Sequence, residues 1–240
     1  LTAWKNYFHH VGIEFDEKEM VVTAGGSEAI IFAMCAVCDN DDEIIVFEPF
    51  YTNYNGFATI ADVKLRPVPL SIKNGFHLPP EKEIKKYING KTKGILITNP
   101  SNPTGAIYSK EELQSLVNLT KKHNLFLMSD EVYREFAFDS PFVSIMNFPE
   151  VNEHIILLDS CSKRFNVCGA RIGVLASHNE EIIQSAFKFG MARLSVASIE
   201  QLAVVPLLNS PHQYSQPIVE ECKKRRDIVY DALKSMPGVT

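Results

Sequence analysis

The chain has 240 residues, 45% hydrophobic and 22% charged, with a formal net charge of -5, which is enough for one sizeable core. No basic patch or tail marks a nucleic-acid binder, and no apolar run is long enough to span a bilayer, so neither nucleic acid nor membrane is expected as a partner. The five cysteines, an odd number, read as the reduced thiols of a cytoplasmic protein.

Residues 1–11 read as a helix already under way. Residues 19–23 form a short strand that runs into Ala24-Gly25-Gly26-Ser27 and then a helix with an apolar stretch at 29–37. Two glycines ahead of a helix N-terminus let backbone amides approach an anion, although such turns also serve geometry alone. Cys35 and Cys38 fall on this helix. A packing face accounts for them better than a redox or zinc pair, because no second Cys/His pair accompanies them, and no metal site is expected.

Residues 43–47 form a buried strand ending at Glu48-Pro49-Phe50-Tyr51-Thr52-Asn53-Tyr54. Aromatics just past a strand end can stack on a flat ring or pack in the core. A strand at 63–68 follows, then a turn at 75–80 with His77 as a surface residue, and a short amphipathic helix at 79–88.

The strand at 94–98 ends at Asn99-Pro100-Ser101-Asn102-Pro103-Thr104-Gly105. Proline biases the residue before it away from helix, so both asparagines are held in extended or turn geometry that can aim an amide at a ligand. Ser109 and Glu112 form a capping box for a helix to about residue 123. The strand at 125–128 leads to Ser129-Asp130-Glu131-Val132-Tyr133. A buried Asp130 needs a cation or several donors: a protonated ring nitrogen is one partner, a helix N-terminus another. Tyr133 lies about one turn on if the segment continues as helix.

The strand at 154–158 ends in a polar turn with Ser160, Ser162 and Lys163, followed by Arg171 and Gly173. An amine, two hydroxyls and a guanidinium in one loop suit a phosphorylated carbonyl cofactor, whereas Ser-x-Ser-Lys alone would pass for a basic surface turn. Residues 171–176 read as a strand running antiparallel, since the connection is too short for a helical crossover. Helices follow at 180–189 and 198–208, and a polar one at 215–236 reads as an exposed connector.

Strands alternating with helices predict an α/β fold, a three-layer α/β/α arrangement with a mostly parallel sheet and one antiparallel strand. The chemically suggestive turns then share one edge of the sheet. Both chain ends read as cut, as in the central part of a longer protein.

Taken in order, Gly25-Gly26-Ser27, Pro49-Phe50-Tyr51, the Asn99 to Gly105 turn, Ser129 to Tyr133, and Ser160-Cys161-Ser162-Lys163 through Arg171 resemble the class I/II aminotransferases. These are fold type I enzymes of pyridoxal 5'-phosphate (PLP), the aspartate aminotransferase superfamily. The resemblance implies a PLP-dependent transferase large domain over 1–214, incomplete at its N-terminus, with 215–240 leading toward a C-terminal small domain.

It also implies a catalytic set. Lys163 matches the lysine that holds PLP as a Schiff base and moves the substrate proton; Asp130 matches the carboxylate at the ring nitrogen. Asn102 and Tyr133 match donors to the ring oxygen, with Asn102 also near substrate, and Tyr51 matches the aromatic stacked on the ring. Gly26, Ser27, Ser160 and Arg171 match the phosphate cup, with Ser162 contributing. The implied activity transfers an amino group between an amino acid and a 2-keto acid in a cytoplasmic homodimer of amino acid metabolism. A C–S lyase or related eliminating enzyme, and the PLP-binding sensor domain of a transcriptional regulator, are the alternatives. Three departures stand out. The family's arginine for the substrate α-carboxylate belongs to the small domain, and a tyrosine for the partner's phosphate lies upstream of Leu1. Ser27 stands where some aspartate-specific relatives carry lysine. Arg193, near Ser195 and Ser198, is a further candidate for a substrate acid, or a solvated surface residue.

Overall fold

Strands form where β-branched residues and leucines run together, and the computed structural model, which describes residues 1–239, joins them into one seven-stranded sheet. They are β1 (Met20–Thr23), β2 (Glu43–Glu48), β3 (Lys64–Pro69), β4 (Thr92–Thr98), β5 (Phe126–Asp130), β6 (Ile155–Ser160) and β7 (Gly173–Ala176). Their spatial order is β1-β7-β6-β5-β4-β2-β3. Neighbours from β3 through β6 run parallel, and β7 is antiparallel to both β6 and β1, as its short connection requires. β3 closes one edge with Pro67 and Pro69, which withhold ladder donors.

The helices are α1 (Thr2–His10), α2 (Gly26–Val37), α3 (Asn53–Ile60), α4 (Glu81–Ile84), α5 (Lys110–His123), α6 (Glu180–Arg193), α7 (Ser198–Asn209) and α8 (Pro211–Lys234). Strand alternation sorts the side chains between two faces. Ile44, Val46, Met128 and Leu158 pack with α2, α3 and α6, while Ile45, Phe47 and Leu127 pack with α5. On the α5 face, Leu157, Val174 and Ala176 meet α1 and α7. The result is the expected three-layer α/β/α arrangement. Among the described residues no helix is long and apolar enough to cross a membrane.

α5 begins as its sequence demands. Ser109 Oγ accepts the Glu112 amide at 3.2 Å, and Glu112 Oε2 accepts the Ser109 amide at 2.7 Å. The helix stops at Asn124 in the left-handed region. Four local expectations are corrected. The helix expected over 79–88 is only Glu81–Ile84, extended by a 3-10 turn Lys85–Tyr87. α3 was not anticipated. The segment after Asp130 does not continue as α-helix; a 3-10 turn, Arg134–Phe136, follows Tyr133. α8 starts at Pro211, ahead of the helix start expected at Ser215, because proline suits the first helical position. Thr240, the last residue of the expected connector, lies outside the described residues.

Sheet register levels the chemistry-bearing ends. Thr98 lies opposite Asp130, and Asp130 opposite Leu158. Ser160 lies opposite Gly173, which on its other side faces Thr23.

Candidate active site

At that edge a cavity of about 170 Å³ opens. The turn after β1 supplies Gly26 and Ser27, the segment after β2 supplies Tyr51, and the turn after β4 supplies Asn102. Asp130 and Tyr133 enter from the end of β5, and Ser160, Ser162, Lys163 and Arg171 from β6 and its loop. The ten residues expected to contact the cofactor therefore border one space, whereas Arg193 does not. Ile30, Thr98, Val132 and Cys168, which sequence reasoning did not select, complete the wall.

One end is built for an anion. Gly25 sits at φ 86°, and a Cβ there would lie 2.5 Å from Arg171 Nη2. A Cβ on Gly173 would lie 2.5 Å from the Gly25 carbonyl carbon and 2.8 Å from the Gly26 nitrogen. These two glycines let the β1–α2 turn settle directly on β7 and bring the N-terminus of α2 to the cavity. The first amides of a helix have no partner within it, and its dipole favours negative charge. Against this turn lies Arg171, held by donating to the Cys168 carbonyl at 3.0 Å and the Ala24 carbonyl at 3.2 Å. The Ser160 and Ser162 hydroxyls are 2.7 Å apart.

The other end centres on Asp130, which is 5% exposed. Its Oδ2 accepts from Tyr54 Oη at 2.9 Å, and Oδ1 from the Val132 amide at 3.4 Å. Burial pushes this carboxyl up to about 7 against the pull of those two donors. Tyr54 Oη is also 2.6 Å from Thr98 Oγ1. Tyr54 is thus a functional neighbour that the sequence hid: it sits in the first turn of α3, and only the i, i+3, i+4 set Tyr54, Phe57 and Ala58 signals that helix. The aromatic cluster divides, with Tyr54 in the core and Tyr51 at the cavity, edge-on to Tyr54 at 5.6 Å.

Lys163 is exposed, its Nζ 6.0 Å from the centroid of the Tyr133 ring. Burial raises the Tyr133 hydroxyl pKa above its usual value. Asn102 Nδ2 donates to Tyr133 Oη at 3.4 Å. The two asparagines of the β4 turn have different fates: Asn99 is buried and accepts the Tyr108 amide at 3.1 Å, a structural use. Arg193 is engaged elsewhere, with Nε and Nη2 each 2.9 Å from a Glu28 oxygen, and it borders neither the cavity nor open solvent alone. Among the described residues no group of three or more His, Cys, Asp or Glu side chains is placed to hold a metal ion.

The donor set fits PLP. A cradle that a Cβ at Gly25 would fill, a helix N-terminus, Arg171 and two hydroxyls suit the phosphate. A buried carboxylate with few donors suits a protonated ring nitrogen, and an exposed amine bordering the same cavity suits the carbonyl.

A family model described as aminotransferase class I and II matches residues 2–240. A probable aspartate aminotransferase of Methanocaldococcus jannaschii is 30% identical over 230 residues, covering 93% of this chain and 60% of the relative. The aspartate aminotransferase of Thermotoga maritima is 32% identical over 219 residues, 91% of this chain and 57% of that one. Among solved structures, the aspartate aminotransferase of Rhizobium meliloti superposes with a TM-score of 0.92 at 27% identity, over 99% of this chain and 60% of that one. The Thermus thermophilus enzyme with maleate gives 0.88 at 28% identity, over 97% and 61%. The chain thus spans about 60% of the length of the relatives it matches.

Proposed function

This chain belongs to the class I and II aminotransferases, and from that premise we propose that the protein containing it moves an amino group between an amino acid and a 2-keto acid. Its family is PLP-dependent. The observation that carries the reading is the single cavity where Lys163, Asp130 and the Arg171–glycine cradle meet.

In this reading Gly26, Ser27, Ser160, Ser162 and Arg171 would hold the phosphate, and Tyr51 would face the ring. Asn102 and Tyr133 would donate to the ring oxygen, with Asn102 also near the substrate. Asp130 would keep the ring nitrogen protonated. When bound, PLP supplies an electron sink for the charge left when a substrate Cα–H bond breaks. Lys163 would be the point of attachment, and its Nζ, when free, would take the Cα proton and return it at a different carbon, general acid–base work by an amine bordering the cavity. Asp130 would contribute a paired negative charge beside the ring nitrogen.

The relatives' names make aspartate the first donor to test, while Ser27 in place of a lysine in the glycine turn weighs against a strict aspartate preference. We read residues 1–214 as the large domain and 215–240 as the connector toward a small domain. A homodimer is supported by the exposed apolar side chains Met191 and Leu194 on and after α6 and Ile199 and Leu202 on α7. A cytoplasmic site is supported by five free cysteines.

Borohydride reduction of the PLP-loaded full-length protein, followed by peptide mass spectrometry, tests the attachment. The cofactor mass is expected on Lys163, and Lys163→Ala is expected to lose it and to lower turnover by about 10³-fold or more. A reducible adduct at another lysine contradicts the assignment.

A further inference from the structure

Behind the cavity wall lies a buried charged cluster that cofactor contact does not use. Arg164, the neighbour of Lys163, is fully buried. Its Nη2 donates to Asp159 Oδ1 at 2.5 Å and its Nε to Glu135 Oε2 at 2.9 Å. Arg134, on the turn after Asp130, donates Nη1 to Asp159 Oδ2 at 3.1 Å and Nη2 to Glu131 Oε2 at 2.9 Å. Asp159 Oδ1 also accepts the Ser160 amide at 2.6 Å. Tyr7, from α1, closes the cluster. Its ring lies 4.3 Å from the Arg164 guanidinium carbon, its hydroxyl accepts from Arg134 Nη1 at 2.7 Å, and it donates to Glu135.

Burying ionised groups is costly, and apolar side chains of similar volume stabilise a core at least as well. Burial opposes the charge on Arg164, yet Asp159 and Glu135 outweigh it and keep the guanidinium ionised. What this arrangement supplies beyond stability is geometry. Asp159 receives one arginine from the Asp130 turn and one from the Lys163 loop, so a single carboxylate fixes the two turns against each other. None of Arg134, Asp159, Arg164 and Tyr7 borders the cavity.

We propose that Arg134, Asp159, Arg164 and Tyr7 are positioning residues that hold the Lys163 loop in register with the Asp130 turn. This rests on the PLP reading above. The test uses the full-length protein, stripped of cofactor, and follows the rate at which the absorbance band of Lys163-bound PLP appears on adding PLP, together with kcat, KM and Tm.

Arg164→Met is expected to slow band formation and lower kcat about tenfold or more, with KM little changed, since a small misplacement of a reacting group is enough for that. Arg164→Lys is expected to recover part of both. Tyr7→Phe keeps the ring under Arg164 and removes only the hydroxyl; it is expected to slow band formation severalfold. If Arg164→Met fails to fold, Arg164→Lys and Tyr7→Phe decide. Folded variants with lowered Tm but wild-type band formation and kcat would overturn the proposal and leave a purely structural cluster. A wild-type protein that forms no band overturns the PLP reading itself, and this proposal with it.

Discussion

Burial pushes the Asp130 carboxyl up to about 7, above the roughly 3.9 of an unfolded chain. The folded, cofactor-free protein therefore holds this proton more tightly than the unfolded chain does. The linked stability is complete below about pH 4 and is lost as pH rises through about 7. Asp130→Asn removes that loss. Between pH 4 and 8 the variant's unfolding free energy is expected to fall less than the wild type's, by up to about 4 kcal/mol. Denaturant unfolding at successive pH values checks this, and identical profiles would contradict a buried ionising carboxyl. Tyr54→Phe removes a hydrogen bond that pulls the Asp130 pKa down, so the same loss should move to higher pH. Asp130 and Lys163 were legible because each follows a continuous apolar strand, where a charged side chain stands out. Tyr54 was not, because its contact joins α3 to the end of β5, elements distant in sequence, and sequence order says nothing of that approach.

The β1–α2 turn depends on two close backbone approaches, at Gly25 and Gly173. Gly173→Ala would set a Cβ 2.5 Å from the Gly25 carbonyl carbon and 2.9 Å from the Asp159 carbonyl oxygen, both backbone atoms. It is expected to cost about 1–3 kcal/mol and to weaken phosphate binding. Gly56, inside α3 with nothing within 4 Å of a Cβ, is the control. Gly56→Ala should stabilise by about 0.5–1 kcal/mol. Thermal unfolding of both variants and phosphate titration of the cofactor-free protein read these outcomes. Equal effects at the two sites would contradict the packing of β7 on the glycine turn. Most elements announced themselves, the strands by apolar runs and α5 by its capping box. The antiparallel β7 followed from connection length alone. α3 escaped because Gly56 and two asparagines dilute a pattern barely two turns long, and α4 was expected too long because three lysines and two glutamates leave few apolar residues to anchor it.

Across the molecule, strand order and parallel register gather turns from β1, β2, β4, β5 and β6 at one edge, so a site scattered over the chain becomes one cavity. The spatial strand order was not readable from the sequence, because pairing partners are set by packing across the whole sheet. α8 carries Ile228, Val229, Tyr230 and Leu233 exposed, apolar surface that the proposed small domain would cover. By resemblance, the arginine for the substrate α-carboxylate belongs to that domain. Residues 1–240 alone are therefore expected to turn over far more slowly than the full-length protein, by about 10²-fold or more. Steady-state assay of both checks this, and equal turnover would contradict the division of labour. The most direct measurement is the visible absorption spectrum of the full-length protein with PLP, before and after each of a panel of amino acids, aspartate first. A Lys163-linked band that one amino acid converts to the pyridoxamine form, with release of the matching 2-keto acid, is the predicted result. A spectrum with no linked band, or one that yields only ammonia and pyruvate from a thioether substrate, would contradict amino transfer at this site.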